Sequence, residues 1–110
     1  MAKYERQDIR MNLDGLRELI CDHMLHSSLS ATLEDSSTFS FGDARCCVLV
    51  FERYSMMGSN RVSLNVTLFQ GAPEAPVSLS AITSGGSQAL LWKINTLGEE
   101  AFLDKLKEIV

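Results

Sequence analysis

Arg61-Val62-Ser63-Leu64-Asn65-Val66-Thr67-Leu68 is the stretch on which the fold turns. Its apolar residues fall on every second position, so an extended backbone sends Val62, Leu64, Val66 and Leu68 to one side and Arg61, Ser63, Asn65 and Thr67 to the other. A sheet with one buried and one wet face follows. Just upstream, Gly58-Ser59-Asn60 suits positive φ and makes Ser55 to Asn60 a hairpin loop. Before it, Ala44 to Tyr54 carries Cys46, Val48 and Val50 on one face and Cys47, Leu49 and Phe51 on the other. Apolar character on both faces is expected of a central strand covered on each side.

The rhythm extends in both directions. Leu29, Ala31 and Leu33 alternate with polar residues, Asp35-Ser36-Ser37 reads as a turn, and Phe39 and Phe41 resume the alternation. Downstream, Gly71, Pro73 and Pro76 interrupt, because proline removes a ladder donor and restrains the residue before it. Val77, Leu79 and Ala81 restart the strand pattern, and Ser84-Gly85-Gly86-Ser87 predicts a tight hairpin into Gln88 to Ile94.

Helical spacing brackets this middle. After Asn12, a candidate N-cap, Leu13, Leu16, Ile20 and Met24 recur every three or four residues with Leu19 alongside, predicting an amphipathic helix that ends near His26. Gly15 weakens its first turn or allows a close neighbour. Residues 1–11 are polar and mixed, suiting a short strand or a loose arm. Thr96 and Glu99 form a capping box for a second helix, striped by Phe102, Leu103, Leu106, Ile109 and Val110. Short links between consecutive strands favour antiparallel neighbours. The expectation is therefore a single α+β domain over residues 1–110: an antiparallel β-meander of four to five strands with an N-terminal and a C-terminal helix packed on one face. A sheet whose second face is also apolar needs a second cover, and for so small a chain that cover is expected to be a symmetric partner in a homodimer.

Composition narrows the function. With 110 residues, 45% of them hydrophobic, there is enough apolar surface for one core and not for two. The net charge of -4 repels phosphate backbones and anionic lipid, and no Lys/Arg run interleaved with aromatics occurs, so neither nucleic acid nor a membrane is an expected partner. The three cysteines, Cys21, Cys46 and Cys47, are odd in number and two are adjacent, which disfavours a disulfide framework. No charged-then-apolar leader opens the sequence, and no apolar run approaches the ~20 residues that span a bilayer. A cytoplasmic protein with reduced thiols is expected.

Glu52-Arg53-Tyr54-Ser55-Met56, Asn60-Arg61-Val62-Ser63-Leu64-Asn65, Ser80 through Ala89 and Asn95 through Leu103 together resemble a family of short bacterial proteins of Firmicutes type, classed only as a domain of unknown function. The resemblance extends over nearly the whole chain. It implies a self-contained bacterial cytoplasmic domain and supplies no activity, cofactor or catalytic residue.

Two groups of residues are candidate sites. Ser84, Gly85, Gly86, Ser87 and Gln88 would form an anion nest if glycine let successive amides converge, although the lysine of a P-loop and the third glycine of a dinucleotide fingerprint are missing. A plain hairpin turn accounts for the same residues. Arg53, Tyr54, Met56, Met57 and Arg61 flank one loop and suit a recognition surface; a rim of solvated arginines with the methionines tucked inward is the plainer alternative. Asp22 and His26, with Cys21 and His23 nearby, supply too few convergent ligands for zinc, so no metal and no cofactor is expected. Cys46 and Cys47 lack redox spacing and read as small buried hydrophobes. With no activated nucleophile, acid or base in view, no catalytic residue is nominated, and catalysis is the weakest reading. Protein contact, including homodimerisation, leads. The alternative is a small-molecule binder with an apolar pocket between helices and sheet, lined by Trp92, Phe69 and Tyr54.

Overall fold

A computed structural model describes residues 2–27, 31–55, 60–85 and 103–110. In chain order these form β1 (Ala2–Ile9), α1 (Leu13–Ser27), β2 (Thr32–Phe41), β3 (Ala44–Ser55), β4 (Asn60–Gln70) and β5 (Val77–Gly85), followed by a helical stretch at 103–107. The strands make one antiparallel sheet in the order β1-β5-β4-β3-β2. Strands β2 to β5 are a meander. β1 joins it on the far side of β5, so the first and second strands in sequence lie at opposite edges, with α1 carrying the chain between them.

The register explains why β4 governs the core. Leu68, Val66 and Leu64 lie opposite Cys47, Leu49 and Phe51 on β3, and opposite Leu79, Ala81 and Thr83 on β5. All are buried, and all but Thr83 share one cluster with Leu13, Leu16, Ile20 and Met24 of α1 and with Leu103 and Leu106. The apolar stripe of the helix and the alternate side chains of three strands thus remove one another from water. Thr83 is the polar exception. Its hydroxyl lies 3.3 Å from the Ala2 amide nitrogen and 3.4 Å from the Ala2 carbonyl oxygen, so the β1 backbone satisfies it.

Two polar locks fix the entry to α1. Asn12 caps it: its Oδ1 accepts the Gly15 amide proton at 2.6 Å, and its carbonyl accepts the Leu16 N–H at 3.0 Å. A Cβ on residue 15 would stand 3.1 Å from that Oδ1, so the glycine permits the close approach anticipated for it. Buried Gln70, at the end of β4, accepts the Leu13 amide proton at 3.3 Å and donates to the carbonyls of Ala75 and Pro73 at 2.8 and 3.3 Å. One side chain therefore ties the helix start to the proline-containing β4–β5 loop. Arg45 adds an outer clasp, with Nη1 and Nη2 reaching the Asp14 carboxylate at 2.9 and 3.0 Å.

One expectation is corrected. Asp35-Ser36-Ser37 is not a turn but part of β2, and the irregularity is a bulge: Leu33 faces Phe51 while Asp35 faces Val50, leaving Glu34 as the extra residue. Serine and aspartate suit turns, but here they line an exposed edge strand, where the same polarity is tolerated. Of the two alternatives for residues 1–11, the short strand is the one found: Ala2–Ile9 forms β1 on β5. The hairpin expected across Ser84 to Ser87 is described only as far as Gly85: Ser84 and Gly85 continue β5 opposite Ser63 and Val62. The partner named for it, Gln88 to Ile94, lies outside the described residues, as does the capping box at Thr96 and Glu99.

Two tests follow from these locks. Gln70→Ala should lower the unfolding free energy by about 2–3 kcal/mol in urea titration, because three backbone groups lose their partner in a buried place. Arg45 holds the Asp14 carboxyl below its ordinary value of 3.8, first through the hydrogen bonds. A depressed folded-state value stabilises above the unfolded one and is lost as pH falls through the folded one. Asp14→Asn should therefore flatten the decline in stability below about pH 4, seen as a smaller change in melting temperature on acidification.

Candidate functional site

The bulge at Glu34 decides what the sheet shows to solvent. Leu33 and Phe39 have the same parity in sequence, and a regular strand would put both in the core. One inserted residue reverses the faces, so Leu33 goes with core-facing Phe51 and Phe39 with Cys46 on the side away from α1. The closing residue Phe41 lies opposite Ala44 across Gly42 and Asp43, where Gly42 has φ +59°. Positive φ is the reason for glycine in this turn.

On that outer side, Phe39, Cys46 and Phe69 occupy one row across β2, β3 and β4. Ala44, Cys46, Val48 and Val50 continue the apolar line along β3, half-buried by their neighbours. Toward the other end the row becomes charged: Arg61 reaches Glu52 at 2.8 Å and Glu34 at 3.6 Å. On β4 and β5 the outer positions are mostly Ser, Thr and Asn, with Ser63 and Ser84 joined through their hydroxyls at 2.8 Å. The exposed large apolar side chains of this side are spread over β5, β4 and β2, and the most exposed are on β2. Ile82 on β5 is 38% exposed, Phe69 on β4 48%, Phe39 on β2 59%, and Phe41 at the end of β2 91%.

The sequence candidates distribute differently. Arg53 and Arg61 lie on opposite faces, since Arg53 pairs with core-facing Val62 and Arg61 with Tyr54. Arg53 is half-buried, and desolvation lowers its pKa. Met56 and Met57 lie outside the described residues, as does the Tyr54 side chain. Ser84 and Gly85 are in the extended β5 ladder opposite Ser63 and Val62, while Gly86, Ser87 and Gln88 are outside the described residues. Of the pocket residues, Phe69 points away from the helix and Trp92 is outside the described set. The described core positions beneath α1 are apolar side chains of one cluster.

On α1, the His23 Nε2 lies 2.9 Å from the Glu108 carboxylate, and His26 Nδ1 donates to the Asp22 carbonyl at 2.8 Å. These bonds give both histidines structural work. Among the described residues no three His, Cys, Asp or Glu side chains converge on a common point, and no helix is long and apolar enough to cross a membrane. Cys21, Cys46 and Cys47 are free thiols. In the sequence Phe39 and Phe41 read as strand residues and not as a surface, because their parity with Leu33 conceals the change of face.

A family model describes the whole of residues 1–110 as a family of unknown function, DUF6054. The chain belongs to that family. No curated protein and no solved structure matches it. Membership in DUF6054 assigns no chemistry, so the surface just described is the physical starting point for function.

Desolvation, with the neighbouring Cys47 second, raises the thiol pKa of Cys46. Maleimide labelling at pH 7 should accordingly be slower at Cys46 than in a short unstructured peptide and should speed up as pH approaches 9. Buried Cys47 should react only on unfolding, which mass spectrometry of the labelled peptides would reveal.

Proposed function

We propose that this domain works through protein contact, with a second copy of itself as the first partner, and that it carries out no catalysis of its own. The observation that supports the reading is the apolar exposure on the outer side of the sheet, which is highest at Phe39 and Phe41 on β2. Two phenylalanines side by side on one strand in contact with water are costly unless another surface covers them. α1 and the 103–107 stretch share the core cluster, so we place both helices on one face and leave Phe39 and Phe41, at the β2 end of the other, to the partner. The net charge of -4 argues against unspecific association and for a contact with defined borders. The ionic group of Arg61, Glu52 and Glu34 supplies one such border. A bacterial, cytoplasmic setting with reduced thiols is consistent with three free cysteines.

Size-exclusion chromatography with light scattering tests the reading at micromolar concentration. The expected result is a dimer that Phe39→Ser with Phe41→Ser shifts to monomer, with an unchanged circular dichroism spectrum because both side chains stand outside the core. A clean monomer for the unmodified protein would overturn the reading.

A further inference from the structure

The two edges of the five-stranded sheet that the described residues form are chemically unlike. β1 carries Lys3, Glu5, Arg6 and Asp8, with Lys3 reaching Glu5 at 3.7 Å and Arg6 reaching Asp8 at 3.0 Å, and its pairing to β5 is irregular between Arg6 and Ile9. Charges and irregularity are the usual means by which an edge strand is kept from pairing with another chain. β2 has neither along its second half. Ser36 to Phe41 contains no charge, no proline and no bulge, and all six residues are exposed. Among the described residues none pairs with this side of β2, and at ~3.4 Å per residue it offers about 20 Å of strand edge.

Its unused hydrogen-bonding groups can be assigned. The hairpin closes on Phe41 and Ala44 across two turn residues, so Phe41 exchanges both ladder bonds with Ala44. Alternation then gives Phe39 and Ser37 to β3 and turns the N–H and C=O of Ser36, Thr38 and Ser40 outward. The same edge carries the most exposed phenylalanines among the described residues, whereas a face-to-face stack centred on β4 and β5 would bury many hydroxyls and amides beside Phe69 and Ile82.

We infer that the second copy adds its own β2 to this edge, antiparallel about a two-fold axis at Thr38, so that the two five-stranded sheets become one. The inference rests on the homodimer reading above and specifies its seam. In this register Thr38 pairs with Thr38 of the second copy, and Ser36 and Ser40 pair with each other across the axis, which makes six backbone hydrogen bonds. No like charges face each other: Phe39 lies opposite Ser37, and Phe41 opposite Asp35. On the outer side the two Phe39 rings are diagonal neighbours at about 7–8 Å between strand positions, within reach of aromatic contact. Alternative dockings predict other outcomes. A face-stacked dimer depends on Phe69, and an edge dimer does not.

The experiment combines light scattering with amide hydrogen exchange on the full chain. The unmodified protein should be dimeric, and the Thr38 and Ser40 amides should exchange at least ~10-fold more slowly in the dimer than at dilutions where it dissociates. Thr38→Pro should give a folded monomer by circular dichroism, since it removes an outward N–H and no bond to β3. Phe69→Ser should remain dimeric. If the protein is dimeric but Thr38→Pro leaves it so, or the two amides exchange equally fast in dimer and monomer, the seam is wrong and the homodimer survives it. If the protein is monomeric throughout, both fall. Should Thr38→Pro not fold, the exchange rates of the unmodified protein decide alone: protection supports the seam, and its absence overturns it.

Discussion

The structure depends on the burial of one side of β4. Val62, Leu64, Val66 and Leu68 stand in the middle strand of the sheet, with β3 and β5 on either hand and α1 contributing to the same core. A one-residue slip of β4 would carry all four to water and bring Ser63, Asn65 and Thr67 inward without partners. That penalty pins β3 and β5 to β4, and through β5 it positions β1. The Gln70 bonds then tie the end of the same strand to the start of α1, so register in the sheet and placement of the helix are one constraint.

The second determinant is local. Glu34 breaks the alternation of β2 once, and this is enough to reverse the faces of everything after it in the strand. Leu33 is left packed beside the core while Phe39 and Phe41 emerge on the outer side. A bulge stores this change in one residue and at the same time limits the regular part of the edge to Ser36 onward. The candidate surface is thus a consequence of folding geometry as much as of composition. It is created where a short apolar segment is denied the core that its parity in sequence would have given it.

Much of the architecture was legible because its signals were strong and local. The period-two run in β4, the prolines after it, and the three-and-four spacing of Leu13, Leu16, Ile20 and Met24 each translate into an element with little competition from tertiary context. β1 was harder, since its alternation is thin and its charges match a solvated arm as well as an edge. Asp35-Ser36-Ser37 misled because turn chemistry and edge-strand chemistry use the same residues. The two-sided apolar character of β3 was visible in Cys46 to Phe51, yet its place beside the central strand depends on pairing across the sheet. The outer surface was concealed for the same reason: a bulge is defined by its partner strand, and no single strand announces it. Arg53 and Arg61 show the limit again, for proximity across a loop did not reveal that they face opposite ways.

The central claim is that the sheet has one core face and that the bulge at Glu34 puts Phe39 on the other. Nuclear Overhauser contacts from the Phe39 ring test this most directly in a protein with labelled methyl groups and aromatic rings. Contacts to the Phe69 ring and the Cys46 side chain, with none to the methyl groups of Leu16 or Ile20, are the predicted pattern. Contacts from Phe39 to the α1 methyl groups would contradict the account, because they would return that strand to unbroken alternation and remove the exposed surface.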